Sequence, residues 1–352
     1  MRAFLYHFHG LGGFDFSDIE PQQLTVVQAA AQERDYEILP TVYLRRENLS
    51  RLVEVLKEYH RLEEAGAVPN IAGFAIEGPL LGPRGGIPRA GRWFPNRQEW
   101  ETIADLGPLG MKYIVIAPDA MELSGDVDDG MSFGDLLRRF YDSEMRIALG
   151  HFHRDAPEQS AARLRKVLKF LHGQYESSPF LVLTDHLYND TPRKFVHAWR
   201  TPAERERRSA ELKPVLDADW DAGHLDALLG PVPAVMLQAA RDDLLFPCLN
   251  FDGHHVDLEI CRKTVDHLGS DRLIALTDHT EVDSMAKETL HRDEHSPLWL
   301  RDDGAVAAGS SGYEQQRVNM LEIGIDETQI DQMFVANPRR AIRHRHLAST
   351  HD

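Results

Sequence analysis

Short apolar runs bounded by Gly, Pro or Asp recur along the chain. They are "AFLYHFH" (3–9), "YEILPTVYL" (36–44), "IAGFAIEG" (71–78), "KYIVIAP" (112–118), "RIALGHF" (146–152), "FLVLTDH" (180–186), "LLFPCLNFDGHHV" (244–256) and "RLIALTDH" (272–279). Runs of this length and β-branched or aromatic content predict strands buried on both faces, as in a parallel sheet. Amphipathic stretches separate them: 48–65 sets Leu52, Val55, Leu56 and Tyr59 on one helical face, and 157–173, 257–268 and 314–324 are further helices. Residues 201–213, "TPAERERRSAELK", predict a charged helix with a solvated face. Eight strands alternating with helices predict an α/β fold, a (β/α)8 TIM barrel spanning 1–342. The polar, basic stretch 343–352 is expected to be a frayed tail. A doubly wound sheet is the competing architecture, but no G-x-G-x-x-G follows a strand. No short-period repeat is present.

Composition narrows the function classes. The 352 residues are 42% hydrophobic, enough for a large core, and carry a formal charge of −17. That charge argues against nucleic acid or an anionic membrane as partner and leaves a small molecule as the expected one. Two cysteines, Cys248 and Cys261, cannot build a disulfide framework, and no signal-like or membrane-spanning run is seen. A cytoplasmic protein is expected, with Cys248 a buried apolar residue.

The chain has 18 histidines, and their placement is the useful signal. Candidate strands end in His7 and His9, Glu77, His151, Asp185 and His186, Asp252, His254 and His255, and Asp278 and His279. A barrel brings the C-terminal ends of its strands to one mouth, so these groups would converge there. Imidazole with carboxylate suits a divalent metal, Zn foremost, with Fe, Co or Mn as alternatives. His7 and His9 alternate, so on a strand both point to one side.

Read in order, these segments resemble the amidohydrolase superfamily, and within it the N-acetylglucosamine-6-phosphate deacetylases. "HFHGLGGFD" is similar to the family's opening His-x-His-Gly, "ILPTV" to its Leu-Pro-Thr strand, and "FAIEGPLLGP" to its Glu-Gly-Pro motif. "GHFHRDA", "DHLYND", "FDGHHV", "ALTDHTEV", "DDGAVAAGSSGY" and "VANPRRAI" follow its later segments. The resemblance implies a barrel of the metal-dependent hydrolase type with one or two divalent ions. Glu77, His151 and His186 would be the primary ligands, and His7 and His9 would hold a second ion. Asp278 would act as general base and then acid, and Asn189 and His255 would contact substrate. Within the two Thr-Asp-His copies, His186 is the ligand of the first and Asp185 stands at the family's Thr position. Asp278 is the acting residue of the second, with His279 turned outward. Asp252, His153 and His254 are expected to be structural. Family members are often dimers, which extends a homodimer to this chain.

Three departures bear on substrate. No histidine follows the Glu-Gly-Pro motif in "GPRGGIPRAGRW", so Arg84, Arg89 or Arg92 would have to polarise the carbonyl. "DTPRKFVHAWR" replaces the family's phosphate segment, leaving Arg193, Lys194 and Arg200 as candidate anion binders. The first strand begins at residue 3 and no strand is predicted after 342, so the family's flanking β-domain is not expected. The implied reaction is deacetylation of an N-acetylated amino sugar. A deaminase, cyclic amidase or esterase on the same scaffold, or a non-catalytic sugar-binding barrel, are the alternatives.

Overall fold

The computed structural model describes residues 2–83, 85–153, 155–195, 201–221 and 223–348. Strands β1 (Ala3–Phe8), β2 (Tyr36–Tyr43), β3 (Phe74–Glu77), β4 (Met111–Ile116), β5 (Arg146–Leu149), β6 (Leu183–His186), β7 (Phe246–Asn250) and β8 (Ile274–Leu276) form one parallel sheet in chain order. The sheet curls until its two edges meet. There the Asp278 N–H donates to His7 O at 2.9 Å and the His9 N–H to His279 O at 2.9 Å. Helices α1 (Leu24–Glu33), α2 (Leu49–Glu64), α3 (Arg97–Ala104), α4 (Phe133–Asp142) and α5 (Pro157–Gln174) follow successive strands, as the run pattern predicts for a (β/α)8 barrel.

Period-two alternation divides each strand between two apolar layers. Phe4, Tyr6, Ala75, Tyr113, Leu183 and Cys248 fill the barrel interior. Leu5, Ile76, Ile114 and Ile147 face outward, against Leu52, Val55 and Leu56 of α2 and Leu136 and Phe140 of α4. Helix starts are set by local chemistry. Asn96 with Glu99 and Ser132 with Asp135 form reciprocal side-chain caps on α3 and α4.

Three segments differ from the run pattern. The apolar run 244–256 is strand only to Asn250, because the Asp252 carboxylate accepts the His254 and His255 N–H groups at 2.8 and 2.9 Å and bends the chain. After β8, residues 284–309 build a hairpin (Ser284–Met285 with Glu288–Thr289) and a three-stranded antiparallel sheet (His291–Arg292, Leu298–Leu300, Val306–Gly309). Leu290, Trp299 and Ala308 join the interior cluster, so this layer packs onto the barrel. The C-terminal stretch, expected to fray, is docked through residue 348: the Glu176 N–H donates to Leu347 O at 2.9 Å and His346 packs edge-on against Tyr141. Among the described residues no helix is long and apolar enough to cross a membrane.

Phe140 is fully buried and meets Trp100 edge-on between α4 and α3. Phe140→Ala is expected to cost about 3–5 kcal/mol by urea denaturation; a loss below about 1 kcal/mol would contradict this packing.

Candidate metal centre and active site

The mouth of the barrel is built by breaking strict alternation at chosen places. Along β1, Phe4 and Tyr6 face the interior and Leu5 faces the helices. Continued alternation would send His7 outward. Instead His7 takes φ of 57° and the pairing with β2 slips between Tyr6 and Phe8. This bulge turns His7 inward, leaves Phe8 packed on Phe16 outside, and brings His9 inward too. His151 and Asp278 also have positive φ, 49° and 45°, just beyond β5 and β8. Non-glycine residues held there cost on the order of 1–3 kcal/mol each, which a site repays only by what the side chains do. On β6 a register shift between Leu183 and His186 lets two consecutive side chains, Asp185 and His186, reach the interior.

Glu77, wholly buried at the end of β3, is the centre of the cluster. Its Oε1 lies 2.5 Å from His151 Nε2 and 3.6 Å from His186 Nε2. Its Oε2 lies 3.2 Å from His7 Nε2 and 3.5 Å from His9 Nε2. Asp278 Oδ1 stands 3.4 Å from His9 Nε2, and its Oδ2 is 3.7 Å from His255 Nε2. Two ligand groups emerge, His7 with Glu77, Asp185 and His186, and His7 with His9 and Asp278; within each, the donor atoms lie within 4.8 Å of one another.

The backs of the rings are held. His9 Nδ1 donates to Thr41 O at 3.3 Å, and His151 Nδ1 faces Asp190 Oδ2 at 3.0 Å. Anchoring Nδ1 leaves Nε2 as the free donor, the arrangement that orients metal-binding imidazoles. His7 Nε2 and Glu77 Oε2 are buried without a hydrogen bond, although they lie close to each other. Such unsatisfied groups fit a divalent cation, while His151 Nε2 and Glu77 Oε1 share a hydrogen bond at 2.5 Å.

Protons are the alternative counter-charge. Burial works against charging His7 and His151, yet the Asp185 and Glu77 carboxylates overcome it and raise both to about 9. Burial would raise Glu77, but the His151, His186 and His7 rings that face it hold it well below the usual carboxylate range. Asp278 is likewise held low, by His9 and the charges of His186, His255 and His7 against its burial. His255 is raised to about 9 by Asp252, 2.6 Å from its Nδ1, against the effect of burial.

The remaining sequence candidates divide. His255 faces Asp278, as above. Asn189 directly follows this cluster, its N–H donating to His186 O at 3.2 Å. Arg89 is not brought to the cluster: its side chain is 74% exposed and pairs with Asp303. Arg92 ties down its own loop through the carbonyls of Pro83, Gly85 and Ile87. Arg193 binds the Tyr188 carbonyl and lies over Phe195, and Lys194 is exposed. Arg84 and Arg200 lie outside the described residues. His153 pairs with Asp119, and His279 stacks on Phe8, pushed down to about 4 by burial and His9.

The sequence placed Asp185 among the strand-end groups but gave it no role, and it did not point to Asp190 or to the second role of Asp252 on His255. Counting by twos from Leu183 sends Asp185 inward. Asp190 carries no signal, since a positive-φ turn aims it.

The raised histidines predict a pH effect of definite sign. Their stabilising charge is fully present below about pH 6.5, the unfolded value, and is lost as pH rises through about 9. Chelator-treated protein should therefore lose thermal stability between these limits. Divalent-metal affinity should rise over the same window, because binding displaces those protons. Calorimetry showing a flat midpoint from pH 6.5 to 9 would contradict this electrostatic reading.

No family model matches the chain, and no curated protein does. Solved structures do. N-acetylglucosamine-6-phosphate deacetylase from Pasteurella multocida superposes with a TM-score of 0.68 at 17% identity, covering 97% of this chain and 76% of its own. The enzyme of the same name from Mycobacterium smegmatis gives 0.61 at 17%, with 97% and 77% covered. That from Thermotoga maritima gives 0.61 at 16%, with 97% and 78% covered. At such identities the likeness speaks for the fold: this chain has the (β/α)8 architecture of those deacetylases.

Proposed function

We propose that this chain is a metal-dependent hydrolase that cleaves an amide C–N bond, with an N-acetylated amino sugar as substrate. The observation that carries this is the presentation of four imidazole Nε2 atoms, in pairs, to the two oxygens of buried Glu77, with Asp278 at the edge of the cluster. Glu77, His151, His186, His7 and His9 would hold the metal, zinc first among Zn, Fe, Co and Mn. When bound, a divalent ion there supplies Lewis acidity, which makes water a nucleophile near neutral pH.

The chain's own groups do the rest. Asp278, kept ionised by the surrounding histidines, takes the proton of the attacking water. A C–O bond forms at the amide carbon, the C–N bond breaks, and Asp278 returns the proton to the departing nitrogen. The products are a carboxylate and a free amine. His255, held charged by Asp252, offers its Nε2 proton to the substrate from the far side of Asp278. Asn189, in the turn after His186, would contact a substrate hydroxyl. Both cysteines are buried free thiols, in keeping with a cytoplasmic enzyme.

A second reading, another amidohydrolase reaction on this scaffold, draws on the placement of the arginines. Arg89 pairs with Asp303 and Arg193 with a backbone carbonyl, while Asp185, Asp190 and Asp252 surround the cluster. That setting favours a neutral or cationic substrate over a phosphorylated one.

Chelation should abolish turnover, and Zn2+ should restore it. Asp278→Asn should keep the fold while lowering kcat by about 10²–10⁴-fold. Assays with N-acetylglucosamine, its 6-phosphate and a panel of other amides separate the two readings: acetate release supports the first, ammonia without acetate the second. Full activity of metal-free protein would refute both.

A further inference from the structure

Asp185 belongs to the centre by position, yet its place in the chain's motif gave it no role. It is 1% exposed, and neither of its oxygens makes a hydrogen bond. A buried carboxylate left so is costly unless something cationic meets it. Its Oδ2 stands 3.1 Å from His151 Nε2 and 3.1 Å from His186 Nε2, on the same side as Glu77 Oε1. Its Oδ1 stands 3.3 Å from His7 Nδ1.

We infer that Asp185 is itself a metal ligand, closing the inner half of the centre into a four-donor site and leaving the open, water-binding position to the half formed by His7, His9 and Asp278. This rests on the metal-dependent reading above.

Two arguments support it. Tetrahedral donors about 2.0–2.2 Å from an ion stand about 3.3–3.6 Å from one another. The four histidine-to-carboxylate contacts that His151 Nε2 and His186 Nε2 make with Glu77 Oε1 and Asp185 Oδ2 run from 2.5 to 3.6 Å, so a modest opening seats an ion. Ring nitrogens facing Asp185 at 3.1 Å without hydrogen-bond geometry also fit donors converging on a shared cation better than donors bonded to one another. The second argument is charge. Glu77, Asp185 and Asp278 place three carboxylates in one dry space, with Asp190 and Asp252 behind its rings. One divalent ion does not offset the three facing carboxylates; two do. Structural zinc sites have four protein donors and catalytic ones keep a position open. The two halves divide these roles.

The test is metal binding, read without activity. Asp185→Thr and Asp185→Asn are compared with the unaltered chain by elemental analysis after dialysis and by chelator competition for Zn2+. The Co2+ visible spectrum reports the ligand set, and circular dichroism the fold. Two ions are expected in the unaltered chain. In the variants one ion should be weakened by more than about 100-fold, beyond what loss of an outer hydrogen-bonding partner causes, while the other stays bound and the cobalt spectrum changes. A weakening below about 100-fold in folded protein overturns the inference. Should Asp185→Thr fail to fold, Asp185→Asn, which keeps the shape and removes the charge, decides. An unaltered chain that binds no divalent ion overturns the metal-dependent reading itself. Loaded unaltered protein with unaffected Asp185 variants overturns only the role of Asp185.

Discussion

A carboxylate with no water around it must be met by positive charge, and Glu77 imposes that demand on the whole barrel mouth. It sits at the end of β3 with no exposed surface, and a histidine nitrogen faces each of its oxygens from either side. Four rings from three strands answer one side chain. Each ring must come from a strand end, because only there do parallel strands of a closed sheet converge. The geometry of the barrel and the charge of Glu77 are therefore one problem with one solution.

That solution is expensive locally. His7, His151 and Asp278 occupy positive φ, and β1 and β6 each slip in register where ligand-type side chains enter. The surrounding layers hold these distortions in place. Gly85 and Gly86 show how tightly the loop after β3 is seated: a Cβ at the first would strike the Asp190 carboxylate, and at the second the Val306 carbonyl. The same Asp190 backs His151, so the loop following one ligand strand presses on the partner of another. The small antiparallel layer at 284–309 closes the arrangement from above, with Gly309 against Asp252 and His255.

The chemistry offered by the site divides along Glu77. On one side His151, His186 and Asp185 surround Oε1; on the other His7 and His9 surround Oε2, and Asp278 stands beside them. Asp278 continues through His255 to Asp252, whose other oxygen pins the turn that carries His255. One aspartate thus shapes the backbone and charges the imidazole. This explains why Asp252, expected to be structural, also sits in the line that runs to the proposed base.

The barrel and its histidine-rich mouth were legible in the sequence because both follow short-range rules. Apolar runs of strand length, helical faces such as Leu52, Val55 and Leu56, and polar residues at the ends of the runs are local facts. Which side chain of a neighbouring pair turns inward is not local. Asp185 beside His186 and His279 beside Asp278 carry the same letters, and only the slip of β6 against its neighbour and the turn at Asp278 distinguish them. Arg89 looked able to reach a substrate, but a long flexible cation goes to whichever carboxylate the fold sets nearby, and that was Asp303. Sequence alone determined the element order, the barrel and the set of ligand-type residues. Tertiary structure decided which of them share a point in space, because that depends on register and loop packing between strands far apart in the chain.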